Sequence, residues 1–210
     1  MRSLIGPGMT VVDVGANIGI HACFLSQLVG SSGHVHAFEP AMNNFSRLQD
    51  NVAGRRNITA IHAAVGETTG TIGLFVSDTL NVDHHTYDDG KGRKRVEVPL
   101  VSLDAYFRPG TAIDFLKVDV QGFEDSVLRG SARILQENPG LRGLIEFWPY
   151  GLRRAGIDAE SVLRFIRSQG FEVVAIDGQS LDALDAGNEG DYCNILIGRQ
   201  TRHPSPASPA

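Results

Sequence analysis

Val11-Val12-Asp13-Val14-Gly15-Ala16-Asn17-Ile18-Gly19 is a short apolar run ending in a glycine-bracketed turn. Ile20, Phe24, Leu25 and Leu28 then recur at helical spacing, so the stretch reads as strand, tight turn, helix. Gly30 and Gly33 punctuate the end of that helix. His34 to Phe38 read as a second strand closing at Glu39, and Met42 to Val52 as a second helix after Pro40.

The alternation continues along the chain. Asn57 to Val65 reads as a third strand, Ile113 to Val118 as a strongly apolar one, and Glu124 to Gln136 as a helix. Leu141 to Phe147 and Phe171 to Ile176 are strands on either side of a helix over Ala159 to Ser168, and Tyr192 to Ile197 supplies the last strand. Thr71 to Val76 and Arg95 to Val101 are expected to pair as a hairpin around the polar stretch from Ser77 to Lys94. Strands alternating with amphipathic helices predict a mostly parallel α/β sheet with its ligand site beyond the carboxyl ends of the strands.

Bulk composition narrows the function classes. The 210 residues suit one compact domain, and a formal net charge of −5 offers no basic footprint for nucleic acid. Cys23 and Cys193 lack metal-ligand spacing and read as reduced, buried thiols. Met1 to Met9 lacks the layout of a signal peptide, and no apolar run approaches the roughly 20 residues that span a bilayer, so a cytoplasmic protein without membrane contact is expected. Thr201 to Ala210, rich in proline, serine and alanine, is expected to be disordered.

A glycine turn between strand and helix lets a ligand approach backbone amides. Gly15 and Gly19 do not follow the G-x-G-x-x-G spacing by which dinucleotides are held, which disfavours the alternative of an NAD-dependent oxidoreductase. S-adenosylmethionine carries no phosphate but an ammonium and a carboxylate, and Asp13 just before the turn suits the ammonium. Glu39 closes the second strand about 20 residues beyond the turn, where a carboxylate can accept hydrogen bonds from both ribose hydroxyls.

Three stretches, Val12-Asp13-Val14-Gly15-Ala16-Asn17-Ile18-Gly19, Phe38-Glu39-Pro40 and Phe115-Leu116-Lys117-Val118-Asp119-Val120-Gln121-Gly122-Phe123-Glu124, resemble the FkbM family of class I methyltransferases. The likeness extends to Ser102-Leu103-Asp104, Val127-Leu128-Arg129-Gly130 and Glu146; Gln121 stands where a glutamate is common in the family. It implies a Rossmann-like class I methyltransferase fold over residues 1–200: a mostly parallel seven-stranded sheet flanked by helices, with an extra β-hairpin. It also implies transfer of a methyl group from S-adenosylmethionine to a hydroxyl of a sugar, polyketide or similar small metabolite.

The expected cofactor-side residues are Asp13, Gly15, Asn17, Gly19, Glu39, Pro40 and Ala64. On the reaction side, Asp119 closes one strand and Glu146 ends the next, so either could take the proton of an acceptor hydroxyl. Asp119 could instead cap the helix near Glu124, and Lys117, two residues earlier, could pair with Asp104 or Glu146. The loop contributes Asn81, Asp83, His84 and His85. His84 could act as a general base, or join Asp119 and Glu146 around a divalent metal, although no metal site is assigned. The basic group Lys91, Arg93, Lys94 and Arg95 could meet an anionic substrate, and Trp148 and Tyr150 could line a substrate pocket or fill core. Two further possibilities stay open: self-association, and a non-catalytic module that binds the cofactor without turnover.

Overall fold

A computed structural model of the chain describes residues 1–77, 84–176 and 178–199. Expectations for Asn81, Asp83 and the tail 201–210 lie outside them. In chain order the elements are β1 (Thr10–Val14), α1 (Ile20–Val29), β2 (His34–Phe38), α2 (Met42–Val52), β3 (Ile58–Ile61), β4 (Ala64–Val65), β5 (Gly70–Val76) and β6 (Lys94–Val101). These are followed by α3 (Leu103–Tyr106), β7 (Phe115–Val118), α4 (Glu124–Arg129), α5 (Ala132–Glu137), β8 (Arg142–Phe147), α6 (Pro149–Arg154), α7 (Ala159–Ser168), β9 (Glu172–Ala175) and β10 (Cys193–Gly198).

Val11, Val12 and Val14 have no more than 1 % exposure because β1 lies mid-sheet, covered on both faces. The main sheet runs β3-β2-β1-β7-β8-β10-β9, parallel throughout except that β10 is antiparallel to both its neighbours. From β1 the chain first works outward through β2 and β3, then returns to place β7 on the other flank of β1. That reversal opens a crevice above the carboxyl ends of β1, β2, β7 and β8, where an open α/β sheet holds its ligand. The expected hairpin forms, β5 against β6, and acquires β4 as a third strand.

Three local readings are corrected. Residues 57–65 are not one strand: β3 ends at Ile61, the His62 ring bonds the Pro40 carbonyl at 2.9 Å, and Ala64–Val65 crosses to the small sheet. No glycine or proline interrupts residues 57–65, so the sequence carried no turn signal at the change of sheet. The single helix expected over 124–136 is two. A Cβ on Gly130 would lie 2.0 Å from the Gly66 carbonyl oxygen, so the chain passes tightly there. Asp104 then restarts the helix by accepting from the Arg133 and Ile134 amides at 2.8 and 3.0 Å. Finally, α3 and α6 were not anticipated. Ser102 caps the first through the Ala105 amide, and Pro149 opens the second at a position where its missing N–H costs nothing.

Candidate active site

The glycine turn is built by close approach. Gly15 has φ 79° and an added Cβ would stand 1.9 Å from the Asp119 carbonyl oxygen, so only glycine lets the ends of β1 and β7 touch. Asn17 follows with φ 52°, and its amide donates to Glu39 Oε2 at 2.9 Å while the Ala41 amide donates to Oε1 at 2.9 Å. The Glu39 carboxylate therefore ties the turn after β1 to the end of β2. Burial raises its pKa to about 7 against the opposing pull of hydrogen bonds from Ala41, Asn17 and Asn44. Gly19, at φ 89°, faces Leu48 and serves the packing of α1 on α2.

A cavity of about 1000 Å³ opens over these strand ends. Gly15, Asn17, Glu39, Pro40, Ala64, His84, Asp119 and Glu146 all line it; Asp13 and Gly19 lie outside its lining. Asp13 is fully buried beneath the turn, 3.3 Å from Lys117 Nζ and directly across the β1–β7 ladder from it. Lys117 thus pairs with Asp13 and, at 3.4 Å, with Asp119, rather than with Asp104 or Glu146. Its burial works to lower its pKa, but the two carboxylates outweigh that and hold it above the usual lysine range.

Asp119, Gln121 and Glu146 form the polar wall. Gln121 Nε2 donates to Glu146 Oε2 at 2.7 Å and to Asp119 Oδ1 at 3.2 Å. Burial lifts the Glu146 carboxyl to about 8, the negative charges of Asp119 and Glu124 add to the rise, and Lys117 offsets part of it. Asp119 does not cap α4, whose N-cap residue is Phe123 with no side-chain cap bond; Glu124 holds the turn before the helix, its Oε1 accepting from the Val120 and Gly122 amides at 3.2 and 3.1 Å, and burial raises it to about 7.

The loop between β5 and β6 is anchored where it is described. His85 is 3 % exposed, exchanges backbone hydrogen bonds with Phe75, and stacks between Tyr87 and Trp148. His84 Nδ1 accepts from the Ser77 amide at 3.1 Å. Trp148 lines the cavity and donates from Nε1 to the Glu189 carbonyl at 2.9 Å. Arg93 is taken by Asp89 at 2.6 Å, whereas Lys91 reaches the cavity lining. Sequence reasoning missed His21, Glu189 and Tyr192, which line the cavity from elements far apart in the chain. Among the described residues no group of three His, Cys, Asp or Glu side chains could hold a metal ion, so the idea of a metal between His84, Asp119 and Glu146 gains no support.

A seven-stranded sheet with one reversed strand next to its edge, a glycine turn after β1 and a carboxylate ending β2 define a class I methyltransferase. The model of the methyltransferase FkbM domain matches residues 13–173. The chain is 33 % identical over 129 residues to the hexuronic acid methyltransferase AglP of Haloferax volcanii, a match covering 59 % of this chain and 50 % of that protein. It thus spans half the length of that curated relative. The crystal structure of methyltransferase FkbM from Methylobacillus flagellatus KT superposes with a TM-score of 0.59 at 17 % identity, over 90 % of this chain and 43 % of that one. Aeropyrum pernix fibrillarin, solved with S-adenosyl-L-methionine bound, shares the fold with a TM-score of 0.54 at 16 % identity, over 92 % of this chain and 68 % of that one. The chain belongs to the FkbM family of S-adenosylmethionine-dependent methyltransferases. No described helix is long and apolar enough to cross a membrane.

Proposed function

We propose that this protein methylates a hydroxyl group of a sugar or sugar-like metabolite, with Asp119 as the general base. The residues present fit the cofactor: a buried carboxylate, Glu39, stands on the cavity wall beside an apolar strip of Ala63, Ala64 and Val65. Glu39 would hold the ribose, the strip the adenine, and the left-handed turn at Gly15 to Asn17 the amino-acid end. When bound, S-adenosylmethionine supplies an electrophilic methyl group and departs as its thioether.

The observation that carries the reading is the placement of Asp119, on the same cavity wall as the turn and held from both sides by Lys117 and Gln121. There it can take the acceptor's hydroxyl proton as the new carbon–oxygen bond forms, a contribution typically worth 10²–10⁴-fold in rate. Tyr192, 53 % exposed, offers an aromatic face to a sugar ring, and His84 is a second candidate to relay the proton to solvent. The relative's action on a hexuronic acid makes acid-bearing sugars the first acceptors to try. Labelled methyl from S-adenosylmethionine should appear on such an acceptor, and Asp119→Asn should lower kcat about 100-fold or more while sparing binding of S-adenosylhomocysteine. Equal turnover by Asp119→Asn would remove Asp119 from the chemistry. Binding without transfer to any hydroxyl would favour the non-catalytic reading.

A further inference from the structure

Asn17 and Gln121 are the two non-glycine residues with positive φ among those described, and both line the cavity. Gln121, at φ 54°, is held in that conformation by its surroundings. Glu124 grips the amides on either side of it, and a Cβ on Gly122 would lie 2.7 Å from the Gly151 backbone, so the turn cannot relax outward. The result aims the side chain at two carboxyls on adjacent strand ends. One amide nitrogen carries two hydrogens, and its two acceptors are Glu146 Oε2 at 2.7 Å and Asp119 Oδ1 at 3.2 Å. Lys117 takes the other Asp119 oxygen, Oδ2, at 3.4 Å. Both oxygens of Asp119 are therefore tethered, one by a cation from the sheet and one by an amide from the turn.

We propose that Gln121 is the positioning residue of the reaction centre: its amide bridges Asp119 and Glu146 and fixes the arrangement in which Asp119 receives the acceptor's proton. The inference rests on the reading of Asp119 as the base. The acceptor O–H proton passes to Asp119 as its oxygen forms the bond to the methyl carbon, and the electron pair of the breaking carbon–sulfur bond stays on sulfur. Gln121 exchanges no proton; its amide is the neutral donor that ties together two carboxyls which also meet each other. A leucine would fill similar space without either hydrogen bond. A glutamate would bring a third carboxyl, with one hydrogen to give when protonated and none when ionised. The charged and titratable groups facing the pair are Glu124 below the turn, Lys117 with Asp13 behind it, His85 against the Gln121 carbonyl and, from the cavity lining, His21, Glu39, His84, Lys91, Glu189 and Tyr192.

The test compares Gln121→Leu and the near-isosteric Gln121→Glu with wild type, using kinetics and carbon-13 NMR of carboxyl-labelled glutamate, the Glu146 signal being identified by its loss in Glu146→Gln. Both changes remove stabilisation of the ionised pair, so the Glu146 titration and the acidic limb of the kcat profile should move up by about one pH unit. For Gln121→Leu, kcat should fall about 10- to 100-fold with acceptor KM and S-adenosylhomocysteine affinity within about twofold of wild type. A Glu146 titration unchanged in both variants, or an unchanged kcat profile, overturns the proposal. If the titration moves but wild type transfers no methyl to a hydroxyl, the bridge stands and the proposed function fails.

Discussion

Glu39→Gln changes one atom, yet it should be among the most damaging substitutions at the cofactor side. Both Glu39 oxygens already accept a backbone N–H, from Asn17 and from Ala41, each at 2.9 Å. An amide in the same place presents one oxygen and one NH2, so one backbone donor must face another donor at a residue only 4 % exposed. Leaving such a donor unsatisfied costs about 1–3 kcal/mol, and at 2–4 °C per kcal/mol for a chain of this size Tm should fall by about 2–12 °C. Replacing the charged acceptor for the ribose hydroxyls adds about 1.5–3 kcal/mol against binding, which weakens S-adenosylhomocysteine by roughly 10- to 150-fold. Scanning calorimetry reads the first effect and titration calorimetry the second. A variant with wild-type Tm and wild-type affinity would refute both the tie between β1 and β2 and the ribose assignment. Binding should also depend on pH. With the unliganded carboxyl at about 7 and the ribose favouring its ionised form, affinity should rise between pH 6 and 8 with release of a proton on binding.

Gly15→Ala should destabilise the fold by about 3 kcal/mol or more, since a β-carbon in a left-handed residue must displace the Asp119 backbone, and thermal melts should show it alongside loss of activity. Stability should also depend on pH in a definite direction. Glu39, Glu124 and Glu146 have folded-state pKa values raised to about 7, 7 and 8 from 4.5, so the folded protein binds more protons than the unfolded chain across that window. Their contribution is full below about pH 4.5 and is lost as pH rises through 7 and 8. Glu146→Gln should flatten the upper part of that decline in denaturant titrations; an unchanged slope between pH 6 and 8.5 would show that burial of Glu146 does not govern it.

The part of this fold that the sequence made legible is the part built from local pattern. Val11 to Glu39 alternates strand, glycine turn, helix and strand with its punctuation in place, and β2, α2 and α7 take the expected boundaries. What stayed hidden was decided by neighbours far along the chain. Nothing local marks Gly130 as a break, because the cause is its contact with Gly66 and the cap comes from Asp104. Asp13 looked like a ligand because it precedes the turn. In a strand covered on both faces, however, its neighbour across the ladder, Lys117, claims it, and a lysine amid the apolar residues 115–118 was the available hint. Asp119 and Glu146, picked out by their positions at strand ends, both line the cavity. The bridge between them needed the left-handed turn at Gln121, which depends on Glu124 and Gly151.

The cavity over β1 and β2 is expected to bind S-adenosylmethionine through Glu39 and the glycine turn. Calorimetric titration of the purified protein with S-adenosylhomocysteine, with NAD as control, is the decisive experiment. S-adenosylhomocysteine should bind at micromolar concentration, about 10-fold or more weaker in Glu39→Gln, and NAD should give no heat. Binding of NAD in its place, or S-adenosylhomocysteine bound equally well with and without the Glu39 carboxylate, would contradict it.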